Sequence, residues 1–240
     1  MSESRSAVHE LLVLWDVDHT LIENHGVNKE TYAEAFRLLT GYSTQHPAQT
    51  EGRTEPEIMR NMLLRHGIEP TADHVARMPE VLETATNSKA AALRERGHEL
   101  PGAREALAAL QETPGVIQSV LSGNIRPNAF TKLSVFGLNP YIDFEVGGYG
   151  SDDEVRENLV GVARERTSAK YSVNFDKNTT VLIGDTPRDV SAGRNGGAHV
   201  VAVASGSDSM EVLCSEGADV VLPDLRDTQA VVAAVTGFRS

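Results

Sequence analysis

The chain contains a single cysteine, Cys214, among 240 residues, so no internal disulfide can close and no cysteine metal site can be built. It lies in the helical-looking stretch MEVLCSEGA, where a packed or surface side chain fits better than a nucleophile. Long apolar runs are also missing. The opening MSESRSAVHE is polar, and the apolar run after it is much too short for a signal peptide or a membrane span. The expectation is a cytoplasmic protein with no membrane partner. Positive charge is scarce: 22 Lys and Arg face 34 Asp and Glu, for a formal net charge of -12, and the basic residues are dispersed. Such a surface repels polyanions, which argues against nucleic-acid binding and leaves small anions that a metal or a local cation can bridge.

What is present reads as a globular protein: 40 % apolar and 23 % charged residues, in a chain long enough for one large domain or for a core with a smaller insert. Short apolar, β-branched runs recur as LLVLW, VIQSVL, TTVLIG, HVVAVA and DVVL. Between them lie PGAREALAALQE, RPNAFTKLSVFG, SDDEVRENLVGVARERT and TPRDVSAGRNGG, which have helical periodicity. This alternation predicts a parallel sheet covered by helices on both faces.

From about Asn28 to Arg96 the alternation stops and only helical patterns remain. YAEAFRLL is spaced for a helix ending at Gly41, Thr54 and Glu57 form a capping-box pattern before EIMRNMLLRHG, and a third helix is expected through VARMPEVLETATNSKAAALRER, broken near Pro79. Linkers are expected near residues 23–27 and 97–102. No internal repeat or low-complexity segment is present.

Three strands run into polar clusters: LLVLW into Asp16-Val17-Asp18-His19-Thr20, VIQSVL into Ser122-Gly123-Asn124, and TTVLIG into Asp185-Thr186-Pro187-Arg188-Asp189. Ligands of open α/β sheets bind outside the carboxyl ends of the strands, so the three clusters are expected to share one crevice. Asp16 and Asp18, two apart, are expected on the same face and crowded into one spot. Two carboxylates about 4 Å apart repel by roughly 4 kcal/mol at an effective dielectric near 20. Several together call for a hard divalent cation, and oxygen ligands without Cys or paired His favour Mg²⁺. Two such acids can also divide their labour, one attacking phosphorus and the other protonating the leaving oxygen and then activating water. The Ser122-Gly123-Asn124 turn, at the start of a helix, is suited to hold phosphoryl oxygens.

In this order and after strands, DVDHTL, LSGN and GDTPRD resemble the motifs of the haloacid dehalogenase (HAD) superfamily. The helical stretch after the first motif resembles the cap domain of its phosphoglycolate-phosphatase-like branch, and the likeness covers essentially the whole chain. It implies an α/β fold, with a Rossmann-like parallel-sheet core of residues 1–23 and 99–240 and an inserted α-helical cap of residues 24–98. It further implies Asp16 as nucleophile and metal ligand, and Asp18 as general acid/base with its backbone carbonyl on the metal. Ser122 would bind the phosphoryl group, Asp185 would ligate the metal, Asp189 would support it directly or through water, and Thr20 would brace the loop. Family dehalogenases lack an aspartate at the place of Asp18, so its presence implies phosphoester chemistry.

The chain departs from the family pattern twice. His19 stands where Gly is common, and no KP-type motif supplies the lysine expected between the second and last motifs. Arg156 is the expected substitute and Lys170 the alternative. Arg53 is either a substrate contact or a solvated arginine at a helix start, and Asp152 and Asp153 are expected to cap the helix that follows them. His25, His46, His66, His74, His98 and His199 lack metal-ligand spacing and are assigned no role. The resulting expectation is a Mg²⁺-dependent phosphatase of a small phosphorylated metabolite, monomeric or homodimeric, working through an aspartyl-phosphate on Asp16. A β-phosphoglucomutase-type phosphomutase and a non-catalytic phosphometabolite binder are the alternatives.

Overall fold

The computed structural model describes residues 11–50 and 52–239. Its strands are β1 (Leu11–Trp15), β2 (Ile22–Glu23), β3 (His98–Glu99), β4 (Val116–Ser122), β5 (Gly148–Tyr149), β6 (Thr180–Gly184), β7 (His199–Val203) and β8 (Val220–Leu222). Its helices are α1 (Val27–Thr40), α2 (Glu55–Arg65), α3 (Ala72–Arg96), α4 (Ala103–Gln111), α5 (Arg126–Val135), α6 (Asn158–Tyr171), α7 (Pro187–Gly196), α8 (Met210–Ser215) and α9 (Thr228–Thr236). Six strands form one parallel sheet in the order β5-β4-β1-β6-β7-β8.

β1 is apolar throughout because both its faces are covered. Leu11, Val13 and Trp15 belong to the cluster formed with α4, α5 and α9, whereas Leu12 and Leu14 join α6 and Ala192 of α7 on the other side. Trp15 keeps its indole N–H satisfied inside this core by donating to Gln118 Oε1 at 3.1 Å. The register brings the polar clusters together. Trp15 lies level with Val120 of β4 on one side and Ile183 of β6 on the other. Asp16, Ser122 and Asp185 follow within two residues of that line, at the carboxyl end of the sheet.

α1, α2 and α3 build a second apolar cluster around Phe36, Met59, Leu63 and Leu82, to which Ile125 contributes from the sheet layer. α3 runs unbroken through Pro79, contrary to the expected break. A proline inside a helix costs about 3 kcal/mol, and here Met78, Val81, Leu82 and Ala85 are buried on either side of it and hold the helix in register. The expected capping box before α2 is half made: Thr54 accepts from the Glu57 amide, while the Glu57 carboxylate pairs with Arg53 and Arg188 instead. The two expected linkers are zipped together, since β2 and β3 pair antiparallel as Ile22↔Glu99 and Glu23↔His98. Among the described residues, no helix is long and apolar enough to cross a membrane.

Candidate active site

A cavity of about 260 Å³ opens at the carboxyl end of the sheet, lined by Asp16, Asp18, Ser122, Gly123, Asn124, Arg156, Asp185 and Asp189. The helical layer supplies its opposite wall with Asn28, Tyr32 and Arg53.

The first half of the site is a cluster of three buried carboxylates. Oxygens of Asp16, Asp185 and Asp189 all lie within 4.8 Å of one another. Thr186 caps α7 through the Asp189 amide, and its own N–H and hydroxyl donate to Asp189 Oδ2 at 3.1 and 2.7 Å. Thr20 donates to Asp185 Oδ1 at 2.9 Å. Among the described residues, one cation contacts two of these acids: Arg156 Nη2 reaches Asp16 Oδ1 at 2.6 Å and Asp189 Oδ1 at 2.5 Å. Its charge does not balance theirs. Burial, then the charge of Asp189, pushes the Asp16 carboxyl up to about 7 despite Arg156. Burial, Asp189 and Asp16 together raise Asp185 well above the ordinary carboxylate range. A compact, all-oxygen set in which the acids resist ionising together fits a hard divalent cation.

The second half surrounds Asp18 and has the opposite character. Asp18 Oδ2 accepts from Lys132 Nζ at 2.7 Å and Asn124 Nδ2 at 3.0 Å, and Oδ1 accepts from Asn28 Nδ2 at 2.8 Å. Burial alone would raise the Asp18 pKa, but the charge and hydrogen bond of Lys132, with the Asn124 amide, outweigh it and hold the carboxyl at about 2.

Asp16 and Asp18 line the same cavity, and the charge of Asp18 adds to the rise of the Asp16 carboxyl as crowding predicts, but Asp18 is not one of the three clustered acids. Regular pairing stops at Trp15, the chain turns, and Asp18 makes only an isolated bridge to Ile22. Its carboxylate is held by α5 and α1, outside the three-acid cluster. The turn continues through His19, whose φ of 65° is the left-handed backbone that glycine adopts most easily. The His19 ring bonds Glu23 at 2.8 Å.

Ser122 Oγ accepts from Asn124 Nδ2 at 2.7 Å, which leaves its own proton for an incoming oxygen. Gly123 admits the helical layer, because a Cβ there would collide with the Arg53 carbonyl oxygen. Asn124, expected on phosphate, has its amide committed to Asp18, Ser122 and Lys132. Arg156 stands among the acids, whereas Lys170 pairs with Asp143 and Glu145 outside the cavity. Arg53 lines the cavity while bonding Glu57 at 3.0 Å. Asp152 and Asp153 do not cap α6, which begins only at Asn158. Asp152 pairs with Arg166, and Asp153 accepts from the Val155 amide and Asn158 in the turn before it.

Lys132, Asn28 and Glu55 were not singled out from the sequence. A faint signal existed for the first: Asn128 and Lys132 lie four apart on α5, one turn each beyond Asn124 just before it, on a helix whose Ala129 and Leu133 enter the core. Asn128 and Lys132 are both buried. Glu55, 1 % exposed at the start of α2, accepts from the Ile125 amide at 2.8 Å and from Asn128 Nδ2 at 2.9 Å, fastening the helical layer to the start of α5.

A profile of the haloacid dehalogenase-like hydrolases matches residues 13–203, most of the chain. Among solved structures, the chain is similar to a Clostridium acetobutylicum protein described as a predicted phosphatase, with a TM-score of 0.67 and 14 % identity over 93 % of this chain and 98 % of that one. A Bacteroides vulgatus protein provisionally described as a β-phosphoglucomutase gives 0.65 and 16 %, over 98 % and 92 %. A HAD family hydrolase from Deinococcus radiodurans R1, with phosphate and sodium bound, gives 0.57 and 20 %, over 98 % and 99 %. At these identities the likeness is one of fold. No curated protein sequence matches the chain significantly.

Proposed function

Because the chain belongs to the haloacid dehalogenase-like hydrolases, we propose that it is a Mg²⁺-dependent phosphatase of small phosphorylated metabolites. The observation that carries this reading is the pairing of a cation-deficient acid cluster around Asp16 with a separately held carboxylate at Asp18, in one cavity. Asp16, Asp185 and Asp189 would hold the metal, joined by the backbone carbonyl of Asp18. Bound there, Mg²⁺ would offset the excess negative charge of the acids and of the phosphoryl group.

In the first half-reaction an Asp16 oxygen attacks phosphorus, the bond from phosphorus to the ester oxygen breaks, and Asp18 gives its proton to the departing oxygen. Asp18 rests as a carboxylate and takes up one proton from solvent as the substrate binds, because the arriving phosphoryl dianion raises its proton affinity by like-charge proximity. In the second half-reaction Asp18 takes a proton from water, the water oxygen attacks the aspartyl-phosphate, and Asp16 departs with phosphate released. The Ser122 hydroxyl and the Gly123 N–H are placed to hold phosphoryl oxygens. Arg156 Nε, buried without a protein acceptor, is a further donor for them. Residues 24–98 would act as the cap that excludes bulk water during the reaction.

A panel of phosphate esters assayed with and without Mg²⁺ tests the proposal, with Asp16→Asn as control. Wild type should release phosphate only with the metal, and the variant should lose about 10⁴-fold or more in kcat while keeping its fold. Appreciable turnover by Asp16→Asn would remove the proposed nucleophile. Isomerised sugar phosphate without free phosphate would replace hydrolysis with phosphoryl return to the substrate.

A further inference from the structure

We propose that Lys132 is a positioning residue for the acid/base step: its ammonium fixes the Asp18 carboxylate through one oxygen and the Asn124 amide through another. The inference rests on the phosphatase reading and deepens it.

Lys132 projects from α5, and its side chain is 3 % exposed. Its Nζ lies 2.7 Å from Asp18 Oδ2 and 2.6 Å from Asn124 Oδ1. Burying an ammonium costs several kcal/mol of desolvation, and its attraction to a partner does not in general exceed that cost. The charge is therefore better explained by what it orients than by what it stabilises.

The orientation passes through two atoms. Lys132 and Asn124 share Asp18 Oδ2, which leaves Oδ1 to Asn28 of the helical layer at 2.8 Å and Asn24 at 3.4 Å. Asn124, held in one amide orientation by Lys132, also donates to Ser122 Oγ at 2.7 Å. One ammonium thus sets the direction of the acid and, at second hand, of the phosphate-holding hydroxyl. Arg156 touches neither, since it is engaged with Asp16 and Asp189.

The test separates bond-making at phosphorus from protonation of the leaving oxygen. p-Nitrophenyl phosphate releases a phenolate that needs no proton, whereas an alkyl phosphate releases an alkoxide that does. Kinetics are measured with Mg²⁺ on p-nitrophenyl phosphate and on the alkyl ester that wild type hydrolyses fastest in a panel of sugar, glycerol and hydroxy-acid phosphates. Lys132→Met should lower kcat/KM, which reports only the first half-reaction, about 100-fold on the alkyl ester and no more than about 5-fold on the aryl ester, whereas hydrolysis of the aspartyl-phosphate, which also uses Asp18, slows equally for both. Should methionine prevent folding, Lys132→Gln keeps a donor in similar volume and should show the same selectivity with a smaller loss. A structural role alone would slow both esters alike. Equal losses, or wild-type turnover of the aryl ester only, would overturn this inference and leave the phosphatase reading standing; no phosphate from either ester would overturn both.

Discussion

Asp16 and Asp18 are separated by one residue, yet their surroundings are opposite. Asp16 sits with two further carboxylates and shares one guanidinium with Asp189, so burial and like charge raise its pKa to about 7. Asp18 sits among donors, an ammonium and side-chain amides, and is held at about 2. The difference comes from where strand pairing stops. Asp16 still donates its amide to Ile183 of β6 and lies beside Asp185, just past β6, and Asp189 of α7, whereas Asp18 lies beyond the turn and bonds Lys132 of α5 and Asn28 of α1. Two chemically identical side chains thereby acquire different affinities for cation and proton, which is what a nucleophile beside a metal and a separate acid/base require.

The sharpest way to break this contrast is Asp18→Asn. It removes the acid/base and leaves Lys132 buried without its counter-ion, so alkyl-ester turnover should fall about 10²- to 10⁴-fold and stability by about 3 kcal/mol. Steady-state kinetics and urea unfolding read the two losses. Unchanged stability would mean that Lys132 does not depend on Asp18. Next in size is Arg156→Met, which removes the cation that pairs with Asp16 and Asp189. Loss of a charged donor to the phosphoryl group should cost about 100-fold in kcat, and Asp18 should keep its position in a crystal structure of the variant. A displaced Asp18 would show that the two halves are not independent.

The smallest expected effect is thermal. In the metal-free protein Asp16 has a folded pKa near 7 against an ordinary value of 3.8, so the folded state holds the proton more tightly. The stability associated with that proton is present at low pH and is lost as the pH rises from about 4 through about 7. Asp18, lowered to about 2 from the same ordinary value, contributes stability above about pH 4 that is lost as the pH falls through about 2. Saturating Mg²⁺ should therefore raise Tm by about 5–10 °C at pH 8 and by much less at pH 5, where protons compete for the same oxygens. Scanning calorimetry with Mg²⁺ and with EDTA checks this. An equal shift at both pH values would place the cation elsewhere.

Much of the frame was legible because its signals are local. A five-residue apolar run, a helical period and an acid just past a strand end each express themselves within a few residues. The parallel sheet, the three helices between β2 and β3, and the meeting of the Asp16, Ser122 and Asp185 segments follow from them. The partners within the site were not legible to the same degree. Nothing in the spacing of Asp152 and Asp153 reveals that α6 starts only at Asn158, and Pro79 reads as a break until its buried neighbours are seen. Lys132 reads as one polar residue on an amphipathic helix until the fold places Asp18 against it.

The amino-acid order by itself determined the class of fold and the supply of acids at the mouth of the sheet, since side-chain periodicity and strand ends are set by backbone geometry over short stretches. Only the tertiary structure decided which acids share a cation and which one is held apart. The deciding contacts join Asp16 to a residue 140 positions away and Asp18 to one 114 positions away, and at such separations proximity is produced by packing, not by spacing.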